Sequence, residues 1–355
     1  MSMKLQSPLR LVLVRSDQHD PHLNLAVEER LMESVSADGR DCAFLYLWQN
    51  ERTVVIGRHQ NAWAECRVSL LEDEGGHLAR RGSGGGAVYH DLGNLNFSIV
   101  MPRRLHDPAR SSRMIVEAVR MLGVEAQLSG RNDILADGRK FSGNAFQLTA
   151  QAGLHHGTLL IATDFERVTR YLSVSKVKLE SKGVTSVRSR ITNLTELQPD
   201  VNVENACRAL AAAFGAEYGE SNSTETALEE IGFASLIDER CAELRARNAS
   251  WAWRLGRSLP FQASMETRFS WGIVRIDFEL KNGHVAGQAL FSDMLDPDLP
   301  TLLTDCFVGC RYDPAELTRA LDSILDEHGT PDAPYDLSRS AVIRDIQSLI
   351  ADQMA

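Results

Sequence analysis

The sequence predicts an α+β protein of two domains, and three observations carry that reading. Up to about residue 250, short β-type runs are interleaved with amphipathic helices. Beyond about residue 262 the pattern changes to period-two alternation followed by helical segments. The 355 residues suffice for one ordinary domain and one small one, with ample chain to bury a core. The expected division is a main domain over 1–250, a linker over 251–262 and a small α+β domain over 263–355.

Composition excludes several classes. Apolar residues make up 43% and charged residues 24% of the chain, as in ordinary soluble proteins. The formal net charge of -10 argues against nucleic acid as the main partner, so any anion site must be a local basic patch. No apolar run reaches the ~18 to 20 residues of a membrane span, and the N-terminus lacks the pattern of a signal peptide; a cytoplasmic chain without a membrane partner is expected. The six cysteines, Cys42, Cys66, Cys207, Cys241, Cys306 and Cys310, form no Cys-x-x-Cys pair. They read as reduced thiols, and no structural metal is expected.

Taken in order, Leu11-Val-Leu-Val14 is a β-type run. Asp20-Pro21 then supplies an N-cap and a first helical position. Leu25, Val27, Leu31, Met32 and Val35 form the apolar face of that helix, with Glu28, Glu29 and Glu33 assigned to the other. Phe44–Trp48 and Thr53–Ile56 read as strands joined in a hairpin through 49–52. Asn96–Met101 is a further strand, and Met114 to Leu122 a helix stopped by Gly123. Asp137-Gly138 is the strongest hairpin signal and places Asp133 and Lys140 on adjacent strands. His155–Ile161 is a strand, and Asp164 caps a helix carrying Phe165, Val168 and Leu172. A basic, hydroxyl-rich stretch, 173–193, reads as a long functional loop. Residues 207–214 and 238–247 are helical. Met265 to Leu280 alternates as β, Asn282-Gly283 turns the chain and Val285 to Phe291 returns it, before helical segments at 300–307 and 314–325.

The chemistry centres on Arg80-Arg-Gly-Ser-Gly-Gly-Gly-Ala-Val-Tyr-His-Asp91. Three glycines expose backbone N–H groups, and two arginines supply fixed charge, which suits phosphate. A flexible surface loop is the rival reading. The stretch is not a Walker loop, because Ala87-Val88-Tyr89 stands where Gly-Lys-Ser or Gly-Lys-Thr would follow; nor does it run from strand to helix like a dinucleotide fingerprint. His-Glu-x-x-His and Gly-x-Ser-x-Gly are absent from the chain. The adjacent His155 and His156 point to opposite faces of a strand, which suits a structural or backbone-bonding role. A basic glycine loop, a hairpin lysine and a basic loop together suit nucleotidyl chemistry on a carboxylic acid.

Five segments then carry a family resemblance: Arg80-Arg-x-Ser-Gly-Gly-Gly-Ala-Val-Tyr-His-Asp-x-Gly-Asn94, Gly130-Arg-Asn-Asp133, Lys140-x-Ser-Gly143, His155-His-Gly-Thr158 and Gly183-Val-Thr-Ser-Val-Arg-Ser-Arg190. In order and spacing the chain resembles lipoate-protein ligase A from about residue 11 to about 325, including Val55–Asn61 and, in an accessory C-terminal domain, Trp271-Gly272 and Gly309-Cys310. The resemblance implies a central mixed, largely antiparallel sheet flanked by helices, of the class II biotin/lipoyl synthetase type. It implies that lipoate and MgATP give lipoyl-adenylate, and that the acyl group passes to a lysine of E2 lipoyl domains or glycine-cleavage H protein. Carried over, Arg81, Gly86, Ala87, Val88, Tyr89 and Lys140 meet ATP; Lys140, Ser83, Gly85 and His90 meet lipoate; Asp133 stands on the Mg²⁺ side. Lys140 is the catalytic residue, and no dedicated general base is expected.

Three alternatives are distinguishable. An ATP-independent octanoyl or lipoyl transferase needs a nucleophilic thiol, yet no cysteine lies between Cys66 and Cys207. A biotin ligase would carry a Gly-Arg-Gly-rich loop. An inactive lipoate- or nucleotide-binding protein would not need the paired positive charges of Lys140 and the glycine loop.

Overall fold

The computed structural model describes residues 9–36, 40–130, 132–173, 190–219, 228–255, 263–281, 283–327 and 338–354. Most of the basic 173–193 stretch, expected to be a long functional loop, lies outside the described residues.

Strands β1 (Arg10–Arg15), β2 (Cys42–Trp48), β6 (Asn94–Pro102), β7 (Gln127–Ser129), β8 (Asp133–Ala136), β9 (Arg139–Leu148), β10 (Ala152–Leu160) and β11 (Glu229–Gly232) form one sheet of order β11-β1-β2-β6-β10-β9-β8-β7. β1 runs parallel to both its neighbours and every other pairing is antiparallel. This is the mixed, largely antiparallel sheet expected. β2 is buried along its whole length because both faces are covered. Ala43, Leu45 and Leu47 face the core shared with the helices Pro108–Met121 and Val203–Tyr218, while Phe44, Tyr46 and Trp48 face α1 (Pro21–Glu33) and the helix Glu239–Ala249. The two-residue period of a strand makes that division.

Asp20 caps α1, accepting from His22 N at 2.8 Å and from Leu23 N, and Pro21 opens the helix. The expected hairpin between β2 and β3 (Thr53–Ile56) does not form. β3 belongs to a second sheet, pairing in parallel with β4 (His77–Arg80) and antiparallel with β5 (Val88–His90). The connection is pulled out of hairpin geometry by α1: Asn24 Nδ2 donates to Gln49 O and Asn50 Oδ1, and Glu51 N donates to His19 O. By contrast, Asp137 (φ 49°) and Gly138 (φ 70°) make the tight β8–β9 turn that their sequence predicts.

The segment Met265 to Leu280 is two strands, β12 (Ala263–Phe269) and β13 (Gly272–Lys281), reversed at Ser270-Trp271; β14 (His284–Ser292) completes an antiparallel sheet. Gly272 at φ 152° permits that reversal. Helices Pro314–Glu327 and Arg339–Met354 cover the sheet, the latter through Val342, Ile346 and Ile350. Residues 251–255, the start of the expected linker, pack on the main domain: Trp253 Nε1 donates to Arg80 O at 2.9 Å, and Leu255 is buried beside β3. Among the described residues no helix is long and apolar enough to cross a membrane.

Candidate active site

A cavity with about 610 Å³ of open space, part of it continuous with solvent, lies between the main sheet and the glycine loop. Leu25, Trp48, Val55, His90, Asn96 and His156 line it, all at most 6% exposed. Gly85 to Val88, Asn132, Lys140, Gly143 and Asn144 also line it. The Lys140 side chain is one third exposed, so its end of the cavity opens to solvent.

β9 positions Lys140. Its Nζ lies 2.7 Å from Asp133 Oδ1 on β8, and its carbonyl accepts from Thr192 N at 2.9 Å, where the chain resumes after the basic stretch. The ammonium folds back over Gly143: a Cβ there would lie 2.8 Å from Nζ and 3.0 Å from Cε. The glycine of Lys140-x-Ser-Gly143 therefore makes room for the lysine. The remaining polar wall is ordered by its own hydrogen bonds, with Gly143 N donating to Thr158 Oγ1 and Asn132 Nδ2 to Asn144 O.

Arg81 lies beneath the glycine loop and holds it. Its Nη2 donates to Gly84 O at 2.6 Å and Gly86 O at 2.8 Å, its Nε to Ser83 Oγ at 3.0 Å, and its Nη1 to Val55 O at 3.3 Å. Burial pushes this guanidinium down to about 10, so it remains charged at neutral pH. Arg80 is also inward, donating to the carbonyls of Gly57, Gln60, Trp253 and Arg254. Arg81, which also lines the cavity, braces the glycine loop, while Arg80 ties 57–60 to 253–254 beside it.

The other predicted residues divide by strand period. Val88 and His90 face the cavity, while Tyr89 faces away and meets Tyr171 at a tilt, ring centroids 5.7 Å apart. Only the Tyr89 backbone can serve a ligand here. Ser83 is fully buried and does not line the cavity; its Oγ lies 2.7 Å from His156 Nε2. Burial first, and the Arg81 charge second, push His90 down to about 3, which leaves a neutral imidazole 3.1 Å from Asn50 Nδ2.

His155 and His156 do point to opposite faces, but their partners are side chains rather than backbone. His155 meets Ser111 Oγ at 2.7 Å and Asn144 Oδ1 at 2.9 Å; His156 meets Glu28 Oε1 at 2.8 Å. Glu28 is 2% exposed, not on the solvent face of α1. Glu29 and Glu33 do face outward, to Arg247 and Arg240. The signal was spacing: Glu28 sits three residues after Leu25 and four before Met32, within the buried stripe. Trp48 and Asn96 carried no signal, because tryptophan in a strand reads as core and a lone asparagine as edge.

The C-terminal domain also reaches the loop. Gly85 N donates to Met294 O at 3.0 Å, Ser292 N donates to His59 O at 2.9 Å, and a Cβ on Gly84 would lie 2.1 Å from Met294 O. None of the six cysteines lines the cavity. Cys66 is buried and pushed up to about 12, which suppresses thiolate.

Residues 20–215 match the family model of the lipoyl protein ligase A/B catalytic domain, and residues 258–335 match that of the bacterial lipoate protein ligase C-terminus. The chain belongs to the lipoyl protein ligase family. It is similar over 96% of its length, and 98% of the other chain, to the structure of P. falciparum LipL1 in complex with lipoate, at 26% identity and a TM-score of 0.79. A bi-partite lipoate protein ligase of Thermoplasma acidophilum, solved with its E2 lipoyl domain, matches at 26% identity and a TM-score of 0.60, covering 72% of this chain and 100% of that one. A lipoate-protein ligase A bound with ATP matches at 28% identity and a TM-score of 0.54, covering 71% and 99%. Against this family the cavity is the candidate ligase site.

Proposed function

We propose that this chain activates lipoate with ATP, forming lipoyl-adenylate and pyrophosphate, and then transfers the lipoyl group to a lysine ε-amine of an E2 lipoyl domain or glycine-cleavage H protein. The cytoplasm is the proposed setting. The observation that carries the reading is Lys140, an ammonium at the open end of a cavity whose opposite wall is glycine-loop backbone. Relatives solved with lipoate, with ATP and with an E2 lipoyl domain support each ligand class.

The assignment gives each residue a task. The lipoyl tail lies along Leu25, Trp48 and Val55, with His90 at the buried end. Its carboxylate and the α-phosphate meet at Lys140, where fixed positive charge stabilises negative charge growing on the phosphorus oxygens. The backbone of Gly85 to Tyr89 lies along the nucleotide, held in shape by Arg81 and Ser83. In the second half-reaction the acceptor lysine must be neutral, and desolvation beside the Lys140 ammonium lowers its pKa.

Among the described residues no cluster of three or more His, Cys, Asp or Glu forms a metal site. Asp133 is a single carboxylate already paired with Lys140. That fits a Mg²⁺ carried mainly by phosphate oxygens and water, with Asp133 the residue that would hold it. The ion would neutralise phosphate charge.

The test is lipoate-dependent ATP–pyrophosphate exchange in the wild type and Lys140→Ala. Wild-type exchange that Lys140→Ala reduces by about 100-fold or more supports the reading, since such an electrostatic contact is worth ~3 kcal/mol. No wild-type exchange, or full exchange in the variant, overturns it. Acyl transfer between carrier proteins without ATP would instead favour the transferase, although no thiol lies at the cavity to serve it.

A further inference from the structure

An unbroken chain of buried hydrogen bonds links Arg81, beneath the glycine loop, to Glu28, in the middle of α1. Arg81 Nε donates to Ser83 Oγ at 3.0 Å, Ser83 Oγ meets His156 Nε2 at 2.7 Å, and His156 Nδ1 meets Glu28 Oε1 at 2.8 Å. Every member is 7% exposed or less. An ionised carboxylate can only accept and a guanidinium can only donate. With those ends fixed, the tautomer with its proton on Nδ1 lets His156 donate to Glu28 and accept from the Ser83 hydroxyl at Nε2. All the donors then point from the cation toward the anion. Ser98 Oγ also donates to Glu28, and Trp48 Nε1 to Ser98 Oγ at 3.0 Å, so the carboxylate is anchored from the far side.

Resting on the ligase reading above, we propose that Glu28 is a positioning residue for nucleotide binding: it is the counter-charge to Arg81, and through His156 and Ser83 it holds the glycine loop in the shape that receives ATP. Glu28 and Ser83 do not line the cavity, so neither acts by touching ligand. The geometry gives the lever. Arg81 holds the carbonyls of Gly84 and Gly86 from one guanidinium nitrogen, and Gly85 between them has φ 90°. A tilt of that guanidinium therefore turns the loop's peptide planes. Glu28 is the acidic group whose charge opposes the burial cost of the Arg81 cation. Such a chain works as a unit, so breaking it at either place has one effect.

The experiment is a double-mutant cycle in the full chain with Glu28→Gln, Ser83→Ala and the pair. KM for ATP and kcat in lipoate-dependent exchange are measured separately. Each single change is expected to raise KM for ATP roughly tenfold to a hundredfold, the scale of one lost charge-assisted hydrogen bond, with kcat changing less. The double variant is expected to stay within about threefold of the worse single. Multiplying effects, or singles that lower kcat alone, would overturn the proposal, since those are the marks of independent or merely structural losses. Amide hydrogen exchange of the 82–87 segment in the ligand-free chain is a second readout. Faster exchange there to the same degree in all three variants, with 273–291 unchanged, supports the relay, and wild-type protection in the variants overturns it. If Glu28→Gln does not fold, Ser83→Ala decides by both measurements. Absence of exchange activity in the wild type would sink the ligase reading, and the amide measurement would still decide the relay.

Discussion

Lys140 owes its place to a residue with no side chain. The Cβ that Gly143→Ala would add meets only the flexible end of Lys140, 2.8 Å from Nζ. The lysine must swing away while the strand stays paired, because Gly143 has no positive φ to be strained. Expected is a loss of about 100-fold in pyrophosphate exchange with a melting temperature within a few degrees of wild type; an active variant would mean that Lys140 acts from another rotamer. At this scale the sequence was informative about charge and poor about direction. Lys140 and Asp133 were readable as neighbours from a two-residue turn. That Tyr89 faces away from the ligand, and that Arg81 spends its donors on its own loop, depends on which face of β5 meets which sheet. No local pattern encodes that.

Elements were legible where their signals are local. The cap at Asp20, the stop at Gly123 and the turn at Asp137-Gly138 all stand where short-range chemistry puts them. The β8–β9 turn has a measurable role. Gly138 at φ 70° cannot take a Cβ without strain, so Gly138→Ala should cost about 1 kcal/mol, seen as a lower denaturant midpoint at unchanged slope. A larger loss, with activity falling in parallel, would show that the turn also sets the register of Lys140. The failed β2–β3 hairpin teaches the converse. Its loop chemistry was permissive, but Asn24, 25 residues earlier than Gln49, claims the connection with two hydrogen bonds. Glu28 was misplaced for a related reason: a carboxylate in a buried helix stripe is explained only by His156 and Ser98, which arrive from distant strands.

Across the whole molecule, burial sets a pH limit. His22 and His106 are pushed down to about 4, His90 to about 3 and His155 well below its usual value, each chiefly by burial. Below the unfolded histidine value of about 6.5 the unfolded chain binds protons that the folded chain refuses. Stability is therefore full above that pH and falls as pH drops from about 6.5 toward 4, each histidine adding up to ~1.4 kcal/mol per pH unit. Unfolding midpoints measured across that range should decline steadily, and a flat profile would refute the assignment. The C-terminal antiparallel sheet was visible in the change of period, but not its contact with the glycine loop. Gly84→Ala would place a Cβ 2.1 Å from Met294 O. It is expected to cost about 1–3 kcal/mol and to speed amide exchange in 292–298, whereas unchanged exchange there would mean that the main-domain loop yields instead. The companion bond, Gly85 N to Met294 O, has a wider consequence. If the proposed nucleotide places an oxyanion on this amide, it must evict a peptide carbonyl, and its measured affinity would be the intrinsic affinity scaled by the fraction of molecules with the amide open. By reciprocity, a protein that draws 292–298 away would then tighten the nucleotide, and the bound nucleotide would strengthen that grip by the same factor.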